Sequence, residues 1–107
     1  MIRDFFLGFI KIHILYHAAQ EPIYGLNFIH ELETHGYQLS PGTLYPILHK
    51  LEKQGYLQAQ KKVVGGKVRK YYTATNQGNA ALLEAYSKAR ELLDEISQGE
   101  ITQTELN

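Results

Sequence analysis

The chain has no cysteine. Disulfides, thiolate metal sites and thiol catalysis are therefore excluded together, and the expected compartment is the cytosol. No stretch approaches the roughly 18 consecutive apolar residues a membrane span requires, so no membrane association is expected. Residues 1–9 are apolar, but Arg3 and Asp4 interrupt them and no small-residue cleavage site follows. A cleavable signal peptide is accordingly not expected. Also missing are a glycine-rich phosphate loop, a nucleophile elbow and a clustered acid pair. No catalytic residue and no cofactor are assigned, and an enzyme is not expected.

Net charge is absent too. The formal total over 107 residues is zero, yet its distribution is uneven. Residues 1–39 hold two basic against four acidic side chains, and residues 75–107 two against six. Residues 40–74 hold seven basic side chains against a single acid, Glu52. A basic block inside an otherwise acidic chain points to a polyanionic or acidic partner for that block.

Apolar periodicity divides the chain. Ile2, Phe5, Phe6, Phe9, Ile12 and Tyr16 recur at three- and four-residue steps, predicting a helix over 2–19. "QEPIYG", with Pro22 and Gly25, punctuates the chain. A shorter helix follows with Tyr24, Phe28, Ile29 and Leu32 on one side, stopping near Gly36. Residues 40–55 supply a third. Ser40 is the expected N-cap, Pro41 stands at the first helical position, and Leu44, Ile47, Leu48 and Leu51 form the buried stripe. Pro46 removes an internal N–H, so a bend or an irregular start is expected. After Gly55 the period falls to two. Two β-like segments flank Gly65–Gly66, the pattern of a two-residue hairpin. The register pairs Val63 with Val68, Ala59 with Tyr72 and Leu57 with Ala74, and that face is expected to pack. From the N-cap Thr75 a long helix runs to about Ser97.

The expected fold is mainly α with a β-hairpin: a winged helix-turn-helix, α-α-α-β-β-α, with a C-terminal helix for dimerisation. The expected organisation is a DNA-binding domain over 1–74, a dimerisation helix over 75–97 and a polar tail over 98–107.

The same register sets Lys62 opposite Arg69 and Lys61 opposite Lys70, with Lys67 at the turn. Directly opposed like charges cost a few tenths to about 1 kcal/mol per pair. A bound polyanion would neutralise them and release counterions. On the third helix, Ser40 and the first-turn amides suit a phosphate. Gly42 permits close backbone approach, Thr43, Tyr45 and His49 offer donors to phosphates or base edges, and Lys50 and Lys53 add charge. The candidate DNA-binding set is thus Ser40, Gly42, Thr43, Tyr45, His49, Lys50, Lys53, Lys61, Lys62, Lys67, Arg69 and Lys70. The alternative is a protein-interaction module whose basic hairpin docks an acidic partner without sequence-specific DNA binding.

His13 and His17 stand at i, i+4, a spacing that can share one ion. No cysteine or carboxylate stands nearby in a recognised pattern, so the two are read as interfacial or exposed histidines and no metal is assigned. The last helix carries more apolar surface than one small core needs. Together with the first helix it predicts a two-fold homodimer, with Phe5, Phe6, Phe9, Leu82, Tyr86, Ala89, Leu93 and Ile96 at the interface.

"YGLNFIHEL" (24–32), "LSPGTLYPILHKLEKQGYL" (39–57) and "GGKVRKYYTATNQG" (65–78) resemble the PadR family of bacterial transcriptional regulators. The resemblance covers about half the chain, in the family's order. It implies a winged-helix homodimer, often a repressor, that binds a palindromic operator on double-stranded DNA. Thr43, Tyr45 and Lys50 correspond to the family's recognition helix, and residues 65–70 to its wing. The single C-terminal helix resembles the smaller subgroup. Some small members hold drugs in an aromatic pocket between subunits; this chain has no Trp, leaving Tyr16 and Tyr86 as the substitutes, and no effector is assigned.

Overall fold

The computed structural model describes residues 2–99. Most of the polar tail expected over 98–107 lies outside the described residues. The elements run α1 (Ile2–Gln20), β1 (Ile23–Tyr24), α2 (Gly25–Thr34), α3 (Pro41–Lys53), β2 (Leu57–Val64), β3 (Lys67–Ala74) and α4 (Asn76–Gln98). This is the winged helix-turn-helix that the periodicities predict, with one addition. The two-residue strand β1 joins the hairpin to give an antiparallel sheet in the order β1-β3-β2. Ile23 pairs with Tyr72 and Tyr24 with Tyr71. A strand this short, bracketed by Pro22 and Gly25, carries no alternation of its own.

The core lies where α1, α2 and α3 meet the inner end of the sheet. Ile10, Ile14, Leu15 and Ala18 of α1 pack with Phe28, Ile29 and Leu32 of α2. Leu44, Leu48 and Leu51 of α3, with Leu57 and Tyr72 of the sheet, complete it. On α3 the predicted stripe is the buried one, with Ile47 half-buried beside it. On α1 the stripe that defined the helix faces outward: Phe5, Phe6, Phe9 and Tyr16 are exposed. That helix is apolar on two faces, and only one of them meets its own core.

The hairpin register is the predicted one, from Leu57–Ala74 to Val64–Lys67. Gly65 and Gly66 both have positive φ, 58° and 77°, which fits a tight turn matched to strand twist. The expectation that Val63 and Val68 pack is corrected: they are 72% and 67% exposed. Only the inner half of the hairpin, at Leu57, Ala59, Tyr72 and Ala74, lies against the body. The outer half projects as a wing, exposed from Lys61 to Val68.

Local chemistry fixes the corners. Ser40 occupies the N-cap of α3, but its side chain makes no capping bond. Its hydroxyl lies 3.3 Å from that of Thr43 instead. The helix continues through Pro46 to Lys53 without interruption. Thr75 caps α4 by accepting from the Gly78 N–H at 3.0 Å, and its hydroxyl donates to the Gly55 carbonyl at 2.6 Å. The Thr75 N–H also donates to the Tyr56 carbonyl. The turn after α3 and the start of α4 are therefore one hydrogen-bonded joint.

Candidate nucleic-acid interface

The α3 stripe that enters the core leaves the opposite side of the helix to solvent. Ser40, Pro41, Gly42, Pro46, His49, Lys50 and Lys53 are exposed, while Thr43 and Tyr45 are half-buried. Tyr45 has a structural task. Its ring lies so close to the start of α2 that a Cβ on Gly25 would sit 2.8 Å from Tyr45 Cε1. The ring thus packs against the start of α2, and its centroid stands 6.4 Å from that of His49 with the planes tilted by 32°. Of the three donors assigned to the outer face, His49 is exposed, while Thr43 and Tyr45 are half-buried.

The wing's cations divide between its two faces, because successive strand residues alternate. Lys61 and Lys70 share the face that continues the core layer, on which Tyr72 also lies. Lys62, Lys67 and Arg69 share the other, with Tyr71 and, across the sheet, Tyr24. The like-charge pairs are present as predicted, but part of their repulsion is relieved within the chain. Lys70 Nζ donates to Glu52 Oε1 of α3 at 3.0 Å. The Arg69 guanidinium lies over the Tyr24 ring at 4.8 Å, and Lys62 lies 5.4 Å from the centre of Tyr71. Such cation–π contacts are worth about 0.5–1 kcal/mol at exposed sites.

Lys70 is thus a strut between wing and helix as well as a cation. The hydrogen bond to Glu52 raises its pKa above the ordinary lysine value, against the opposing effect of burial. Burial raises the Tyr72 phenol, while the Lys70 ammonium beside it works the other way. Lys61, Lys62 and Lys67 remain exposed. His49, Lys50 and Lys53 of α3 are exposed as well, and the Lys70–Glu52 bond links the two elements.

Sequence reasoning did not assign Glu52, Tyr24 or Tyr71 to this region. Glu52 carried a usable signal, since a lone acid among seven cations is well placed to find one of them. The aromatic supports carried none, because Tyr24 reaches Arg69 only through β1.

The expected interface residues are not equivalent. Phe5, Phe6 and Phe9 of α1 and Tyr86, Leu93 and Ile96 of α4 are exposed. Ala89 is exposed with them, while Leu82 is half-buried against the core of its own chain. Beyond Leu82, α4 extends with Leu83, Leu92 and Leu93 open to solvent.

His13 and His17 do not stand alone. His35, at the end of α2, brings a third imidazole, and one ring nitrogen from each lies within 4.8 Å of the others. Burial, then the neighbouring His35 and His17, hold the His13 pKa below the ordinary imidazole value, with Glu31 acting against them. No spacing rule would have found His35 from the sequence.

Residues 14–84 match the model of the transcriptional regulator PadR-like family. The chain is 43% identical over 99 residues to transcriptional regulator Rv3488 of Mycobacterium tuberculosis, covering 92% of each. A crystal structure of a PadR family transcriptional regulator from Eggerthella lenta is similar with a TM-score of 0.80 at 32% identity, covering 92% of this chain and 87% of that one. A PadR-like transcriptional regulator from Bacillus cereus gives 0.74 at 29% identity, covering 91% and 99%.

Proposed function

The chain belongs to the PadR-like family of transcriptional regulators, and from that premise we propose that it is a homodimeric, sequence-specific binder of double-stranded DNA. In this reading it acts as a repressor at a palindromic operator, with no enzymatic activity of its own. The observation that carries the reading is the joint between wing and helix. Exposed Lys61, Lys62 and Lys67 are held in fixed relation to the open face of α3 by the Lys70–Glu52 bond.

The division of labour follows from chemistry. The α3 residues Gly42, Thr43, Tyr45 and His49 present backbone and donors toward a major groove, with Lys50, Lys53 and Ser40 toward phosphates. The wing lysines and Arg69 supply charge toward the flanking backbone. Residues 1–74 carry DNA binding, and residues 75–97, with the exposed phenylalanines of α1, carry dimerisation. Two-fold symmetry would place the two α3 helices in successive major grooves, about one helical turn apart.

The test is DNA binding across a salt series, using duplexes from the region upstream of the chain's own gene and random competitors. Neutralising about 6 to 8 phosphates per dimer gives a slope of log K against log salt of roughly −5 to −7. Lys62→Ala should weaken binding nearly uniformly across sequences, whereas His49→Ala should reduce discrimination between them. Salt-independent affinity, or no preference for any duplex, would overturn the reading and favour an acidic protein partner. Selection from a random DNA pool would identify the operator.

A further inference from the structure

Outside the proposed DNA-facing surface three imidazoles converge, and one carboxylate lies beside two of them. His13 and His17 lie one turn apart on α1, Glu31 lies on α2, and His35 follows α2 at its C-cap. Glu31 Oε1 is 3.9 Å from His17 Nε2 and 3.6 Å from His35 Nε2. Both distances exceed a hydrogen bond. The His13 and His35 rings are 4.9 Å apart, and the His13 and His17 rings stack at 6.2 Å with 12° between their planes. We propose that His13, His17, His35 and Glu31 form a binding site for a divalent transition-metal ion of the zinc type.

Ligand geometry supports this. Four ligands at about 2.0–2.1 Å around a tetrahedral ion stand roughly 3.3–3.4 Å from one another. Glu31 stands 3.6 Å from His35 and 3.9 Å from His17, and the three imidazoles offer nitrogens within 4.8 Å of one another, so side-chain rotations that bring Glu31 inward can close the site. Three imidazoles and a carboxylate are the donor set of zinc and its neighbours, and the lack of thiolate disfavours soft monovalent copper. Magnesium and calcium prefer oxygen donors, of which the cluster has one side chain.

The rings are also held in place. His17 meets the buried Phe28 edge-on at 5.6 Å, and His13 meets Tyr37 at 5.5 Å, itself packed on Phe6 at 6.0 Å. Such packing restricts the rotamers that a metal would otherwise have to order. An ion here would clip α1 to the far end of α2, just before Gly36, whose φ of 83° turns the chain toward α3.

The experiment is calorimetric titration of the metal-free full chain with zinc chloride, with cobalt(II) as a spectroscopic substitute. Saturation at one ion per chain is expected, with the intense visible bands of tetrahedral cobalt. His35 is partly exposed, so His35→Ala leaves the core untouched and should weaken binding about tenfold or more. Glu31→Gln should weaken it too, while His30→Ala and His49→Ala should leave it unchanged. Binding that is non-saturable, that is lost in His30→Ala or His49→Ala instead, or that leaves cobalt six-coordinate would overturn the proposal. None of these readouts involves DNA, so failure here would not bear on the DNA-binding reading.

Discussion

Lys70 of the wing donates to Glu52 of the third helix across 3.0 Å, and this is the one salt bridge between those two elements among the described residues. Both side chains are slightly over one-third exposed, 37% and 35%, so solvent screening limits its strength. Stability of the wild type, Glu52→Gln, Lys70→Met and the double variant, measured by denaturant unfolding, should give a coupling of no more than about 1 kcal/mol. The coupling should shrink as salt is raised. A coupling of zero at low salt would mean that Lys70 is a free cation and the wing is not latched.

Gly78 is the most crowded of the glycines among the described residues. A Cβ there would sit 2.1 Å from the Tyr56 carbonyl oxygen and 3.5 Å from Leu15 Cδ2. The first of these atoms is backbone at the joint where Thr75 bonds to Gly55 and Tyr56, so it cannot turn aside as a side chain would. Gly78→Ala should therefore cost at least about 1–3 kcal/mol through overpacking, despite alanine's better helix propensity. Thermal unfolding would check it. A stabilised variant would mean that α4 shifts freely on the body.

How much of this was legible in the sequence depends on what each residue's signal measures. The hairpin register followed from alternation and the Gly65–Gly66 turn, and residue pairing is a local property. Burial is not: Val63 and Val68 alternate as a packed pair would, yet they sit beyond the end of the body. On α1, Phe5, Phe6 and Phe9 and the core set Ile10, Ile14 and Leu15 are all apolar, so periodicity gave the helix without saying which face was inward. The imidazole cluster needed His35, eighteen residues after His17, and only the return of α2 along α1 supplies it. The basic block was visible as composition, while its division into two wing faces and its tether to Glu52 are tertiary facts.

Tyr72 predicts an alkaline limit to stability. It is 1% exposed and its hydroxyl finds no hydrogen-bond partner among the described residues. Burial raises its pKa above the ordinary value of 10.0, with Lys70 opposing the shift and Glu52 and Tyr45 adding to it. The folded chain therefore keeps this proton to higher pH than the unfolded chain does, so stability falls as pH rises above about 10. Lys70 acts in the same sense, because the raised pKa that Glu52 gives it is lost as a stabilising term above 10.5. Tyr72→Phe should be neutral or slightly stabilising near pH 7, within about 1 kcal/mol, since it removes an unpartnered polar atom. It should also flatten the alkaline decline in part, leaving the Lys70 share. Denaturant unfolding between pH 7 and about 11 would show both effects. A variant as alkali-sensitive as the wild type would remove Tyr72 from the account.

Leu93 offers the cleanest test of dimerisation. It is 62% exposed on the part of α4 that extends beyond the body, with the exposed Leu92 and Ile96 nearby. Burial of a leucine in an interface contributes about 1.5–3 kcal/mol, and a two-fold interface counts each substitution twice. Leu93→Glu also adds a carboxylate per chain to a helix that already carries Glu84, Glu91, Asp94 and Glu95. The dimer should therefore dissociate by at least about a hundredfold, read by sedimentation or by light scattering after size-exclusion chromatography. Because Leu93 lies outside the core of the protomer, the far-UV circular dichroism of the resulting monomer should remain that of a folded chain. Specific DNA affinity should fall with dimerisation while the weak, non-specific binding of a single wing and helix persists. A wild type that is monomeric at all concentrations, or a Leu93→Glu variant that stays dimeric, would place the exposed face of α4 to some other use.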